Sequence, residues 1–372
     1  MDRRAGAPLT TAERRARLRL ARSGQVGTVT YRRLIARFGT AERALETLPE
    51  LAARGGTRSY RPASAASVEA EIARAQAVGA RLLILGTPDY PSLLSEIADP
   101  PPVLWARGEL GVFERDGVAL VGARNASALG LRLASQVAAA LGEAGRVTVS
   151  GLARGIDASV HAASVERGTI AVLGGGIDCI YPAENEGLAE RILAHGALVS
   201  EAPMGLQPQA RHFPKRNRLI SGLSQAVVLI EAAERSGSLI TARAALEQGR
   251  EVMAVPGNPL DPRAAGCNRL IRDGAHLIRS ADDVLEGLAM PVARAEHAPD
   301  PRPGLAEPSA PPPRRLRGQI TELLSLAPVL EDELIRRSGA ETAHVLELLS
   351  ELDLAGRILR HAGGRISLTP PA

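Results

Sequence analysis

Gly117-Val118-Ala119-Leu120-Val121-Gly122-Ala123-Arg124-Asn125-Ala126-Ser127 decides the fold. An apolar run suited to a buried strand enters a glycine turn, and Ser127 stands where a helix N-cap belongs. A helical stretch over 129–142 follows, and then a second short run, Val147-Thr148-Val149-Ser150. The pattern recurs at Ile170-Ala171-Val172-Leu173, Ala197-Leu198-Val199-Ser200, Ala226-Val227-Val228-Leu229-Ile230 and Val252-Met253-Ala254-Val255. Helical stretches at 155–166, 186–195 and 239–249 lie between them, and Arg81–Leu85 and Val103–Ala106 read as earlier strands. Near-continuous apolar strands alternating with helices predict a parallel sheet covered on both faces. The fold class is therefore α/β, with an extended Rossmann-like domain over 76–290.

The flanks read differently. Residues 1–75 give short Arg/Ala/Leu helices, a small bundle of the SAM-like or helix-hairpin-helix-like kind. Residues 291–313 hold eight prolines in 23 positions and form a linker that cannot bury a core. Beyond it, 314–372 reads as three helices closed by a hairpin, the winged-helix plan. Its third helix carries Glu341, Glu347, Glu351 and Asp353 and no Arg or Lys before Arg357. A phosphate-lined groove repels such a helix, so the domain reads as a protein-interaction module.

Composition sets the class. Of 372 residues, 45% are hydrophobic and 23% charged, as in soluble globular proteins. Aromatics are only 2%, so Leu, Val, Ile and Ala must build the core. The 45 basic residues comprise 44 Arg and one Lys, a GC-rich coding habit that weakens the meaning of any single Arg. A net charge of +4 is small for this length, so any nucleic-acid surface must be local. Cys179 and Cys267 form neither a disulfide framework nor a metal motif. Without a signal peptide or membrane-length apolar run, the chain is expected to be cytoplasmic, with no cofactor and no metal.

In a parallel α/β sheet, ligands meet the loops at the carboxyl ends of the strands. Here those loops are Gly122–Ser127, Ser150–Asp157, Gly174–Asn185, Glu201 onward and Glu231–Thr241. The fourth leads to the densest polar cluster, Arg211-His212-Phe213-Pro214-Lys215-Arg216-Asn217-Arg218, which holds the single lysine. Cations there can neutralise phosphates, and the ring offers an unpaired base a stacking surface; an Arg-rich solvated helix start is the plain alternative. Enzyme templates fail in turn: no Walker-type loop, no G-x-G-x-x-G dinucleotide turn and no G-x-S-x-G elbow is present. His161 reads as a structural histidine, Asp157 as a brace for its loop.

Together these loops resemble the DprA/Smf family (DNA-processing protein A). The matching segments are Val121–Arg124, Ser150–Asp157, Gly174–Asn185, Phe213–Gly222, Ser236–Ala242, Val255–Asn258 and Gly266–Ile271, in order along about 100–280. The resemblance implies a non-catalytic protein that binds single-stranded DNA, protects it during natural transformation and loads the RecA recombinase. It also implies a homodimer through the Rossmann domain. Carried over by residue, Arg124, Gly151, Phe213, Lys215, Arg216, Asn217 and Arg218 form the DNA pocket. Gly122, Ser127, Arg154, Arg211, Ser238 and Thr241 complete the candidate set. Ala123 departs from the family, where serine is frequent. The competing reading is a nucleotide-binding enzyme of the phosphoribohydrolase type, but Glu231–Thr241 lacks the Gly-Gly pair of that group.

Overall fold

The computed structural model describes residues 9–56, 60–289, 314–361 and 363–370; the expected linker at 291–313 lies outside them. Four helices lead: α1 (Thr11–Arg22), α2 (Thr28–Phe38), α3 (Ala41–Gly55) and α4 (Ala65–Ala77). Then come β1 (Arg81–Ile84), α5 (Ser92–Ser95), β2 (Val103–Gly108), β3 (Gly117–Gly122), α6 (Ala128–Glu143), β4 (Val147–Ser150), α7 (Ile156–Ser164) and β5 (Thr169–Val172). The domain continues through α8 (Glu186–Ile192), β6 (Ala197–Ser200), α9 (His212–Gly222), β7 (Ala226–Ile230), α10 (Ser238–Glu247) and β8 (Glu251–Ala254). It closes with α11 (Ala265–Arg272), β9 (His276–Leu277) and α12 (Ala281–Ala289). The last segment contains α13 (Arg314–Leu323), β10 (Val329–Leu330), α14 (Glu331–Ser338), α15 (Thr342–Leu354), β11 (Ile358–His361) and β12 (Arg365–Leu368).

Nine strands form one sheet in the order β1-β2-β6-β5-β4-β3-β7-β8-β9. From β6 to β9 the pairing is parallel, as the alternating pattern requires. The two early strands are a correction: β1 pairs antiparallel to β2, and β2 antiparallel to β6. Residues 85–102, which join β1 to β2, hold only the single-turn α5 and not the full helical crossover that parallel pairing of consecutive strands needs. One sheet face packs Leu219 and Ile220 of α9, Ala242 of α10 and Cys267 of α11. The other packs Val137 and Leu141 of α6, Val160 of α7 and Val284 of α12. Strand order reverses between β3 and β7, the place where doubly wound sheets open a crevice.

The described residues fall into two compact units, one within Ala70–His297 and the other within Pro8–Glu69 and Ala298–Ala372. In the second unit the N-terminal helices and the winged helix share a core, because Leu354 of α15 packs with Leu34, Leu48 and Leu51. The acidic side of α15 meets bases there. Arg37 pairs with Glu347 at 2.7 Å, Arg317 with Glu351 at 2.5 Å, and Thr30 donates to Asp353 at 2.6 Å. At Gly55 any Cβ would collide with the Glu351 carbonyl, so α3 and α15 touch backbone to backbone. The helix that a winged helix would offer to a DNA groove is here turned toward its own chain's N-terminal bundle.

Candidate single-strand interface

The polar cluster is the first two turns of α9, and helical geometry sorts its members. Arg216 lies three and four residues before Leu219 and Ile220, so it points inward with them. It is 5% exposed, and its Nη1 donates to the carbonyl of Gly151 at 2.6 Å and to that of Val172. Arg216 was expected to contact DNA; instead it ties the ends of β4 and β5 together. Burial lowers its pKa to about 10, partly opposed by the Asp157 carboxylate. Burial in turn raises Asp157, with Arg216 opposing, and Asp157 braces its loop by accepting from the N–H groups of Gly151 and Ala153 at 3.1 and 3.3 Å.

His161 completes this buried layer. It is fully buried, with Nδ1 2.8 Å from Thr169 Oγ1, as a structural histidine should be. Burial, and secondarily the Arg216 charge, pushes its pKa down to about 3. The unfolded chain therefore takes up a proton near pH 6.5 that the folded chain refuses. The His161 contribution to stability is complete above about pH 6.5 and is lost as pH falls toward 3, by at most about 1.4 kcal/mol per pH unit. Denaturant melts of wild type and His161→Gln from pH 7 to 4 should differ in slope by up to one proton; parallel curves would refute this.

Outward from that layer sits Phe213, half-buried at the strand ends. The ring lies on Gly174, whose missing Cβ would approach it to 3.0 Å, so the loop after β5 needs glycine as a floor. The guanidinium carbon of exposed Arg124 is 5.2 Å from the ring centroid, and that of buried Arg216 is 5.8 Å away. Tyr181, 51% exposed, places its ring centroid 5.7 Å from that of Phe213 at a tilt of 36°. Tyr181 lies in the Gly174–Asn185 loop and is absent from the candidate residues of the sequence. The available signal was scarcity, since an aromatic in a strand-end loop stands out in a chain with four tyrosines.

The other candidates divide cleanly. Lys215 is exposed, with Nζ only loosely paired to Glu201 at 3.9 Å, and Arg211 is exposed at the helix start. Arg154 is exposed but held by Glu184 at 2.6 Å. Arg218 is not at the rim: its side chain is 14% exposed, paired with Glu201 and with Asp99 at 3.1 Å. Asn217 donates to the Gly237 carbonyl at 3.2 Å. Ser238 and Thr241 are buried in α10, and Gly151 is buried beneath Arg216. Gly122 is a packing glycine against Ile156 and the Ile230 carbonyl, and Ser127 caps α6. The open surface that remains is Arg124, Phe213, Tyr181, Lys215 and Arg211. Among the described residues there is no metal-binding cluster, and no helix is long and apolar enough to cross a membrane.

Residues 81–289 match the family described as DNA recombination-mediator protein A, which covers more than half of the chain. The chain belongs to the DprA/Smf family. Flanking matches are to the DprA-like N-terminal HHH domain over 11–74 and the DprA winged helix domain over 304–364. The DNA processing protein DprA of Bacillus subtilis is 46% identical over 213 residues, 56% of this chain and 72% of that one. Protein Smf of Escherichia coli is 40% identical over 285 residues, 75% of each chain. The X-ray structure of DprA from Streptococcus pneumoniae superposes with a TM-score of 0.61 at 35% identity, covering 73% of this chain and 97% of that one. DprA from Helicobacter pylori, solved for its single-stranded DNA binding mode, superposes at 0.52 and 26% identity, covering 56% and 95%. The chain thus carries helical, Rossmann-like and winged-helix parts matching those of the DprA/Smf family.

Proposed function

We propose that the rim formed by Arg124, Phe213, Tyr181 and Lys215 binds single-stranded DNA without catalysis. The observation that carries this reading is the half-open Phe213 ring with the Arg124 guanidinium 5.2 Å from its centroid, and the exposed Lys215 follows two residues along the same helix. A ring offers any unpaired base a face, and flanking cations take the phosphates; neither reads base edges, so binding should be tolerant of sequence. Family membership in DNA recombination-mediator protein A supports a DNA-processing role, and the single-strand title of the Helicobacter pylori relative supports the strand preference. By the same resemblance, we assign the chain to protecting incoming single strands and loading RecA onto them, as a cytoplasmic homodimer through its Rossmann domain.

Labelled single strand, duplex and free nucleotides titrated into the purified protein test the reading. Single strand should bind most tightly; preferential duplex binding would refute it. Lys215→Ala should weaken single-strand binding and lower the salt slope by about 0.7, the value for one phosphate contact on a single strand. An unchanged slope would take Lys215 off the phosphate path. Removing 1–69 and 314–372 together, the two segments that share a core, should leave single-strand affinity largely intact. The rim residues all lie in the other unit, and the carboxylates of α15 are engaged by Arg37 and Arg317 rather than open to a strand. A steep loss of affinity would give that second unit a direct part in DNA binding.

A further inference from the structure

We propose that Glu231 is a built-in anion filling the phosphate position of this Rossmann sheet, so that the rim rejects free phosphate and mononucleotides. Glu231 is the first residue after β7, and α6 begins after β3, so the two flank the point where strand order reverses. Sheets of this plan take ligands there, with an anionic group at the helix N-terminus. Here a carboxylate is already seated. Its Oε2 accepts the Ser127 N–H at 2.8 Å and its Oε1 accepts the Ser127 hydroxyl.

The helix start is shaped around that carboxylate. In a capping box the third helical residue is Glu or Gln, whose side chain reaches back to the N–H of the cap. In α6 that third residue is Gly130, and a Cβ on it would lie 2.6 Å from Glu231 Cδ and 2.8 and 2.9 Å from its two oxygens. The carboxylate a capping box would draw from its own helix comes instead from 104 positions away. Glu231 also holds a φ of +54°, a left-handed conformation that costs a non-glycine residue energy. A strained acceptor residue and a cap position left open by glycine thus converge on one seated negative charge. A phosphate approaching it meets both steric exclusion and like-charge repulsion.

The inference concerns what the rim refuses, so it stands whether or not single strands bind at Phe213. Its test uses full-length Glu231→Gly, Glu231→Asn and Glu231→Gln beside wild type. Glycine suits the positive φ, and asparagine tolerates it while being too short to reach Ser127. Glutamine keeps the position filled. Melting temperatures are followed against inorganic pyrophosphate at constant ionic strength, with circular dichroism verifying the fold. The Gly and Asn variants should each gain a saturable rise of several degrees at pyrophosphate about 100 times its dissociation constant. Wild type and Glu231→Gln should gain less, through Arg124 and Lys215 alone. An equal response from all four proteins, or none from a folded Gly or Asn variant, overturns the inference.

Discussion

Arg216→Ala is expected to cost about 3–5 kcal/mol of folding stability, the range for removing one member of a buried charged group. The guanidinium is 5% exposed and donates to the carbonyls of Gly151 and Val172, which close β4 and β5. Without it, two buried acceptors lose their donor, and the buried Asp157 carboxylate loses the cation that offsets its burial. Urea melts measure the effect. Lys215→Ala is the internal control, because the neighbouring residue on the same helix is exposed and should change stability by no more than about 0.5 kcal/mol. An Arg216→Ala protein as stable as wild type, with weakened DNA binding and a lower salt slope, would return Arg216 to the phosphate path.

Phe213→Ala should weaken single-strand binding by about 1–3 kcal/mol, the range for one stacked base, with the salt slope nearly unchanged. The ring touches Gly174 and lies among Arg124, Arg216 and Tyr181 rather than within the apolar clusters of the sheet. It is only half-buried, so its loss should destabilise the fold far less than truncating a core phenylalanine. The salt series separates the two mechanisms: stacking alters affinity at every salt concentration alike, whereas a lost phosphate contact tilts the line. Full affinity in a stably folded Phe213→Ala protein would leave an electrostatic groove without stacking.

Much of this architecture was legible in the sequence because burial leaves periodic traces. The apolar runs from β3 to β8 announced a sheet covered on both faces, and eight prolines set off the segment before the winged helix. Strand direction left no such trace in β1 and β2, since an apolar strand reads alike whichever way it pairs. The candidate interface was half legible. Arg124, Phe213 and Lys215 were named from residue type and position, and all three reach the open rim. Arg216 and Arg218 were named from the same cluster, but a linear reading ignores the helical turn that sends one under the sheet edge and the other to Asp99 and Glu201. The spacing from Arg216 to Leu219 and Ile220 carried that information. Glu231 was invisible as a cap because its partner Ser127 lies on another strand's loop.

Thr30 and Asp353, hydrogen-bonded in the second unit, stand 323 positions apart. During synthesis at about 5–20 residues per second, the first helices emerge on the order of tens of seconds before the helix that finishes their core. Throughout that interval the apolar side of α3 has no α15 to lie against. Any messenger or ribosome fault that ends the chain early leaves that surface bare, a ready mark for chaperones and proteases. The two ends of the polypeptide thereby certify each other: the N-terminal bundle is finished only when the last segment has been made.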